Sequence, residues 1–140
     1  MYPNKGKLAA LDLGENWIGL AVSDFDQAVV FRREEWKYEE GNFMDRLSKW
    51  IAEEQIVGVL VGMPLSLSGE SSEQTSKIKK LFEEIKTVLN VPVESMDERF
   101  TSKEADKKIK KGSRNDSEAA AILLETYLSS KTSTPGSELP

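Results

Sequence analysis

Residues 7 to 23 read KLAALDLGENWIGLAVS, two apolar runs separated by Gly14-Glu15-Asn16. Lys7 to Leu13 reads as a buried strand, short and rich in Ala, and Trp17 to Ser23 as a second. A link this short cannot hold the crossover that parallel strands require, so the pair predicts an antiparallel hairpin. Outward from it, Asp24-Phe25-Asp26-Gln27 leads to Val29 to Trp36 (VVFRREEW), a third and more exposed strand.

The period then changes. Phe43, Leu47, Trp50 and Ile51 lie at i, i+4, i+7 and i+8, the spacing of an amphipathic helix, with Asn42 placed to cap it. Val57 to Val61 (VGVLV) is continuously apolar, as in a strand covered on both faces. A Gly/Pro/Ser-rich loop from Gly62 to Gly69 follows. Ser71 and Gln74 then form a capping box, opening a helix that aligns Ile78, Leu81, Phe82, Ile85, Val88 and Leu89. Val91 to Met96 is a fifth strand, Thr101 with Glu104 a further capping box, and Asn115 with Glu118 the start of a last helix through Leu128. The predicted class is α/β: a five-stranded mixed sheet in the order βββ-α-β-α-β-α with helices on its faces. One domain over residues 1–128 is expected, followed by a disordered tail over residues 129–140, where apolar residues nearly vanish.

Composition narrows the chemistry. The 140 residues are 39% hydrophobic, enough for one sizeable core, and contain neither Cys nor His. This excludes disulfides, thiol nucleophiles, thiolate zinc sites and imidazole bases. Any metal is held by oxygen, which favours hard cations such as Mg²⁺ or Mn²⁺. No apolar run has the length to cross a bilayer, and no secretory signal pattern opens the chain, so a cytoplasmic protein without membrane partners is expected. The formal charge is −5, yet Arg99 to Arg114 carries seven basic residues against two acidic ones, leaving that segment at +5 and the remainder at −10. Taken alone, such a run reads as a solvated helix face.

Three acids stand at the ends of elements. Asp12 lies in an apolar strand, where an isolated charge costs several kcal/mol. It either caps the turn that follows or points into a site, and spacing alone leaves both open. Asp97-Glu98-Arg99 ends the fifth strand, which a surface turn with an ordinary ion pair would explain. Asp116 begins a helix, where a carboxylate interacts well with the dipole.

The stretches LAALDLGENWIGLAVSD, VGVLVGMPLSLSGESS, VPVESMDERFTSKEA and NDSEAAAILLETYL resemble, in order, four motifs of the YqgF/RuvX family. These are RNase H-like proteins associated with pre-16S rRNA nuclease and Holliday junction resolvase roles. The resemblance spans residues 7 to 128. It implies an RNase H-like fold in which Asp12, Glu98 and Asp116 occupy the family's acidic positions, converge at one edge and hold Mg²⁺ or Mn²⁺ for phosphodiester hydrolysis. Arg99, Lys103, Lys107, Lys110, Lys111 and Arg114 would then contact substrate phosphates, and Gly62 to Gly69 would border the groove. Two departures stand out: Trp17 occupies a position usually basic in the family, and the connection from Glu98 to Asp116 is short. Asp97 is the substitute should Glu98 point away.

The implied function is an endonuclease acting on structured nucleic acid, with maturation of the 16S rRNA precursor ahead of four-way DNA junctions and with ribosomal particles as partners. A non-catalytic RNA-binding module is the contrasting reading, disfavoured because clustered carboxylates would repel phosphates. Asp12-Leu13-Gly14 with Gly19 also resembles the first phosphate loop of actin-like kinases, but the chain is too short for the second half of that fold.

Overall fold

The computed structural model describes residues 2–14, 16–39, 41–63, 73–97 and 116–132. Five strands, β1 (Lys7–Leu13), β2 (Trp17–Ser23), β3 (Val30–Lys37), β4 (Ile56–Met63) and β5 (Val93–Asp97), form one sheet in the order β3-β2-β1-β4-β5. β1, β2 and β3 pair antiparallel, while β4 runs parallel to both β1 and β5. Helices α1 (Phe43–Glu54), α2 (Glu73–Val88) and α3 (Asp116–Thr132) complete the described elements. The predicted class and order are those observed. No helix among the described residues is long and apolar enough to cross a membrane.

β1 occupies the middle of the sheet and divides its side chains by parity. Ala9, Leu11 and Leu13 join Leu20, Val22, Val59 and Val61 in a core closed by Phe43 and Leu47 of α1 and Ile78 and Ile85 of α2. Leu8 and Ala10 join Ala21 and Leu60 on the other face, beneath Ala120, Leu123 and Leu124 of α3. The near-continuous apolar run of β1 follows from this double burial. Its alanines have a use as well: Ala10 and Ala21 are small where α3 lies against the sheet.

Tyr2 fastens the N-terminal segment to this second core. Its hydroxyl donates to the Val59 carbonyl, and its ring meets that of Tyr127 edge-on at 5.5 Å. A Cβ at Gly58 would stand 2.2 Å from the Tyr2 ring, so only glycine leaves that seat open. Burial, and after it the nearby Glu94 carboxylate, pushes the Tyr2 and Tyr127 hydroxyls above the usual tyrosine range.

Several boundaries differ from those expected. β5 starts at Val93 rather than Val91, because Pro92 has no N–H for a ladder and contributes only its carbonyl, to Val59 N–H at 2.9 Å. Val88 is 45% exposed: it lies roughly 80° around the helix from Ile78, at the margin of the buried stripe. Asn42 precedes α1 without a side-chain cap bond, its φ of −129° and ψ of −13° departing from the extended geometry that capping uses. α3 continues four residues past the expected end at Leu128, since Ser-Ser-Lys-Thr contains no breaker and the first Pro is residue 135. Ser71, Thr101, Asn115 and residues 133–140 lie outside the described residues, and with them the capping boxes and the end of the expected tail.

The C-terminal end of α1 is held by charge. Glu54 accepts from Lys7 Nζ of β1 at 2.7 Å and from Arg33 of β3 at 3.5 Å. The Lys7 hydrogen bond, with the attraction of both cations, holds its carboxyl below the ordinary value of 4.5 despite partial burial. A depressed carboxylate pKa stabilises the fold above the unfolded value, and that stability is lost as pH falls through the folded one. Glu54→Gln is therefore expected to cost about 0.5–1 kcal/mol at pH 7 and almost nothing once the pH is well below 4.5. Urea midpoints of both chains at pH 7, 5 and 3 check this; a gap that persists at pH 3 would refute the linkage.

Candidate active site

Asp12 is the penultimate residue of β1 and shares the face of Leu8 and Ala10, toward α3. It is half-buried. In the sheet it sits opposite Gly19 of β2 and Gly62 of β4, and Gly62 in turn pairs with Met96 of β5. Both residues directly opposite this carboxylate on the neighbouring strands are therefore glycines, which place no side chain of their own beside it. Glycine is the residue type that lets backbone or a phosphate come close to a strand.

α3 begins at Asp116, and the next residue explains how that start is positioned. Ser117 is buried, 7% exposed, and its hydroxyl oxygen accepts the backbone N–H of Leu20 at 3.1 Å. Leu20 directly follows Gly19, the partner of Asp12. The register between β2 and β3 shifts between Ile18 and Leu20, and the Ser117 bond lies beside this irregularity. One residue further, Glu118 accepts from Arg32 of β3 at 2.7 Å. The N-terminus of α3 is thus tied to β2 by a buried hydrogen bond and to β3 by an ion pair, at the strand levels of Leu11 and Ala10, one and two residues before Asp12.

Ser117 was not singled out by its sequence. The only signal was a hydroxyl in a helix's first turn directly before an apolar run, a common arrangement at helix starts. Ser117→Ala is expected to lower stability by about 1–3 kcal/mol, since the Leu20 N–H is left buried without its acceptor. Ser117→Thr should recover most of the loss by restoring the oxygen. Denaturant unfolding of the two variants provides the comparison, and equal stability of the alanine and wild-type chains would refute the tie.

The described residues bring Asp12 and the start of α3 to one end of the sheet, the end at which β5 closes on Asp97. Glu98 lies outside the described residues, as do Arg99, Lys103, Lys107, Lys110, Lys111 and Arg114, and the loop from residue 64 to residue 69. Among the described residues no three acids gather as a metal cage. The available donors are carboxylate, hydroxyl and carbonyl oxygens, since the chain contains no His or Cys. That donor set fits a hard divalent cation and does not fit zinc in a thiolate or imidazole site.

The sheet order, with two helices on one face and α3 on the other, is the RNase H-like architecture as built in the RuvC nucleases. Thermus thermophilus RuvC, solved in complex with Holliday junction substrate, superposes at a TM-score of 0.65 with 17% identity, over 92% of this chain and 97% of that one. The chain belongs to the RuvX family, described as Holliday junction resolvase, which matches residues 6–130. A candidate pre-16S rRNA nuclease of Dictyoglomus turgidum is 38% identical over 133 residues, covering 89% of this chain and 94% of that protein. One from Chloroflexus aggregans, of the same name, is 31% identical over 137 residues, covering 91% and 96%.

Proposed function

We propose that this chain is a metal-dependent endonuclease cleaving phosphodiester bonds of structured nucleic acid, with the 16S rRNA precursor as its substrate. The observation that carries the reading is Asp12 on the α3 face between Gly19 and Gly62, one residue beyond the strand level at which the start of α3 is tied. This is a carboxylate with glycine as its cross-strand neighbour on either side, at the end of the sheet where a second acid, Asp116, begins a helix. The names of the relatives favour the RNA substrate. The family description and the RuvC likeness favour a four-way DNA junction as the second reading.

Asp12, Glu98 and Asp116 would hold Mg²⁺ or Mn²⁺. When bound, the metal supplies an activated water and stabilises the leaving oxygen. The chain's own part is positional. The glycines beside Asp12 admit the scissile phosphate, and the Ser117 tie keeps Asp116 from drifting away from the sheet. Arg99, Lys103, Lys107, Lys110, Lys111 and Arg114 would grip the flanking phosphates, whose attraction offsets the repulsion of an otherwise acidic surface. Glu98 is preferred over Asp97 because it shares sequence parity with Glu94 and Met96, and Met96 packs on the α3 face. The functional unit is taken as residues 1–128, acting in the cytoplasm on ribosomal particles or their precursors.

The test is a panel of labelled substrates, comprising 16S precursor ends, unstructured RNA and four-way junctions, each with Mg²⁺, Mn²⁺ or Ca²⁺. Cleavage of the precursor ends with Mg²⁺ or Mn²⁺, abolished by EDTA and weak with Ca²⁺, is the expected result. Cleavage that survives exhaustive chelation would refute the metal mechanism, and cleavage of junctions alone would establish the second reading.

A further inference from the structure

A cavity of about 380 Å³ opens on the face of the sheet opposite Asp12, between β3 and the two helices that cover that face. Tyr38, directly after β3, forms one wall, and Phe43 and Met44 of α1 contribute apolar surface. The Tyr38 ring lies 5.6 Å from that of Phe43, tilted by 60°, and packs against the core while remaining half-buried. Lys77 and Lys80 of α2 stand at the rim against a single acid, Glu84. Lys77 Nζ is 5.7 Å from the centre of the Tyr38 ring.

The cavity lies at the catalytic end of the sheet. The Tyr38 N–H donates to the Asn16 carbonyl at 2.8 Å, so Tyr38 is fastened to the hairpin that directly follows β1 and Asp12. Two strand spacings separate β3 from β1, roughly 10 Å across the sheet. A nucleic-acid strand whose phosphate lies at Asp12 can therefore pass the sheet edge and present a neighbouring base on the other face.

We infer that this cavity is a nucleobase subsite: a single-stranded nucleotide flanking the cleaved bond stacks its base on Tyr38, while Lys77 and Lys80 meet its phosphates. The inference rests on the nuclease reading for its place along the substrate, but the site itself is defined by an aromatic ring and two cations. A half-buried ring fixed by its backbone and by Phe43 is a stacking platform whose ordering is already complete, and stacking serves every base because each has a π face. An exposed ammonium over a ring at this distance is held weakly, and the flexible Lys77 stem lets it exchange the ring for a phosphate. A net positive rim is distinctive on a chain of net charge −5. Base-paired strands cannot use the cavity, since their bases are already stacked.

Binding of the full chain in EDTA to fluorescein-labelled single-stranded RNA, single-stranded DNA and a blunt duplex of the same sequence tests the site. Tyr38→Leu, which retains apolar packing on Phe43, is expected to weaken binding of both single strands by roughly 5- to 150-fold. It should leave the duplex within about twofold. Tyr38→Phe should bind as the wild type does, because its ring face stacks equally well. Lys77→Met should flatten the salt dependence on single strands by roughly 0.7 in the slope of log affinity against log salt. Equal loss on single strands and duplex, no loss on either, loss confined to RNA, or a defect in Tyr38→Phe matching that of Tyr38→Leu would each overturn the inference. Cleavage by the wild-type chain is assayed separately. A chain that cleaves while Tyr38→Leu binds normally ends the subsite alone. One that cleaves nothing yet binds single strands through Tyr38 retains the subsite and ends the nuclease reading.

Discussion

Asp12→Asn is expected to reduce the single-turnover cleavage rate by roughly 100- to 1,000-fold or more, the scale seen when one preorganised charge-stabilising group is lost. At saturating protein this corresponds to about 3–4 kcal/mol of transition-state stabilisation. The substitution keeps the shape of the side chain and one acceptor oxygen but removes the negative charge that would bind a cation. In metal-free buffer its stability should stay within about 1 kcal/mol of wild type, or rise, because neighbouring carboxylates repel one another when nothing neutralises them. Rate and urea midpoint are measured on the same preparations. A variant cleaving at the wild-type rate sinks the assignment of Asp12, and one that loses activity only because it unfolds leaves the residue structural.

Leu124→Ala should produce the largest loss of stability among single changes outside the site. Leu124 is fully buried in the layer where α3 meets Ala10, Ala21 and Leu60. Removing its branched end leaves a cavity that close-packed neighbours cannot fully close, at a cost of about 2–5 kcal/mol. That is a substantial share of the roughly 5–15 kcal/mol available to a domain. The melting temperature should fall by roughly 6–20 °C. Leu124→Met, which keeps nearly the same volume, should cost less than about 1.5 kcal/mol. Calorimetry on both variants decides it, and similar melting temperatures would mean that α3 is not seated as described.

The fold was legible where one physical rule governed a whole element. The run Leu8 to Leu11 read as a buried strand, and it is the central one, covered on both faces. The hairpin links were too short for anything but antiparallel pairing. The spacing of Phe43, Leu47 and Ile51 marked the buried face of α1, and all three are buried. The rule failed at margins, as with Val88, where helical geometry turns a plausible stripe position outward. It failed again at Asn42, where a good capping residue follows backbone dihedrals set by the chain before it.

The candidate site was legible in a different way. Asp12, Glu98 and Asp116 each had a sufficient ordinary explanation, and only four motifs in order suggested that they belong together. Parity within β1 was written in the sequence, but which helix would cover the even-numbered side was not, because that depends on contacts between residues far apart. Ser117 and Tyr38 were invisible for the same reason. One is defined by the backbone of a strand 97 positions away in sequence, the other by a cavity shared among three elements.

The division of β1 between two apolar layers also bears on how the chain reaches its native pairing. A slip of one residue along β4 or β2 would carry Asp12 across the sheet, from the edge beneath α3 into the layer of Phe43, Leu47 and Ile78. An unpaired carboxylate there costs several kcal/mol, whereas the apolar residues of β1 would fit either layer with little complaint. The charge proposed for the metal site would therefore also distinguish right from wrong alignment while the sheet assembles, so one residue would serve both the proposed chemistry and the proofreading of its construction.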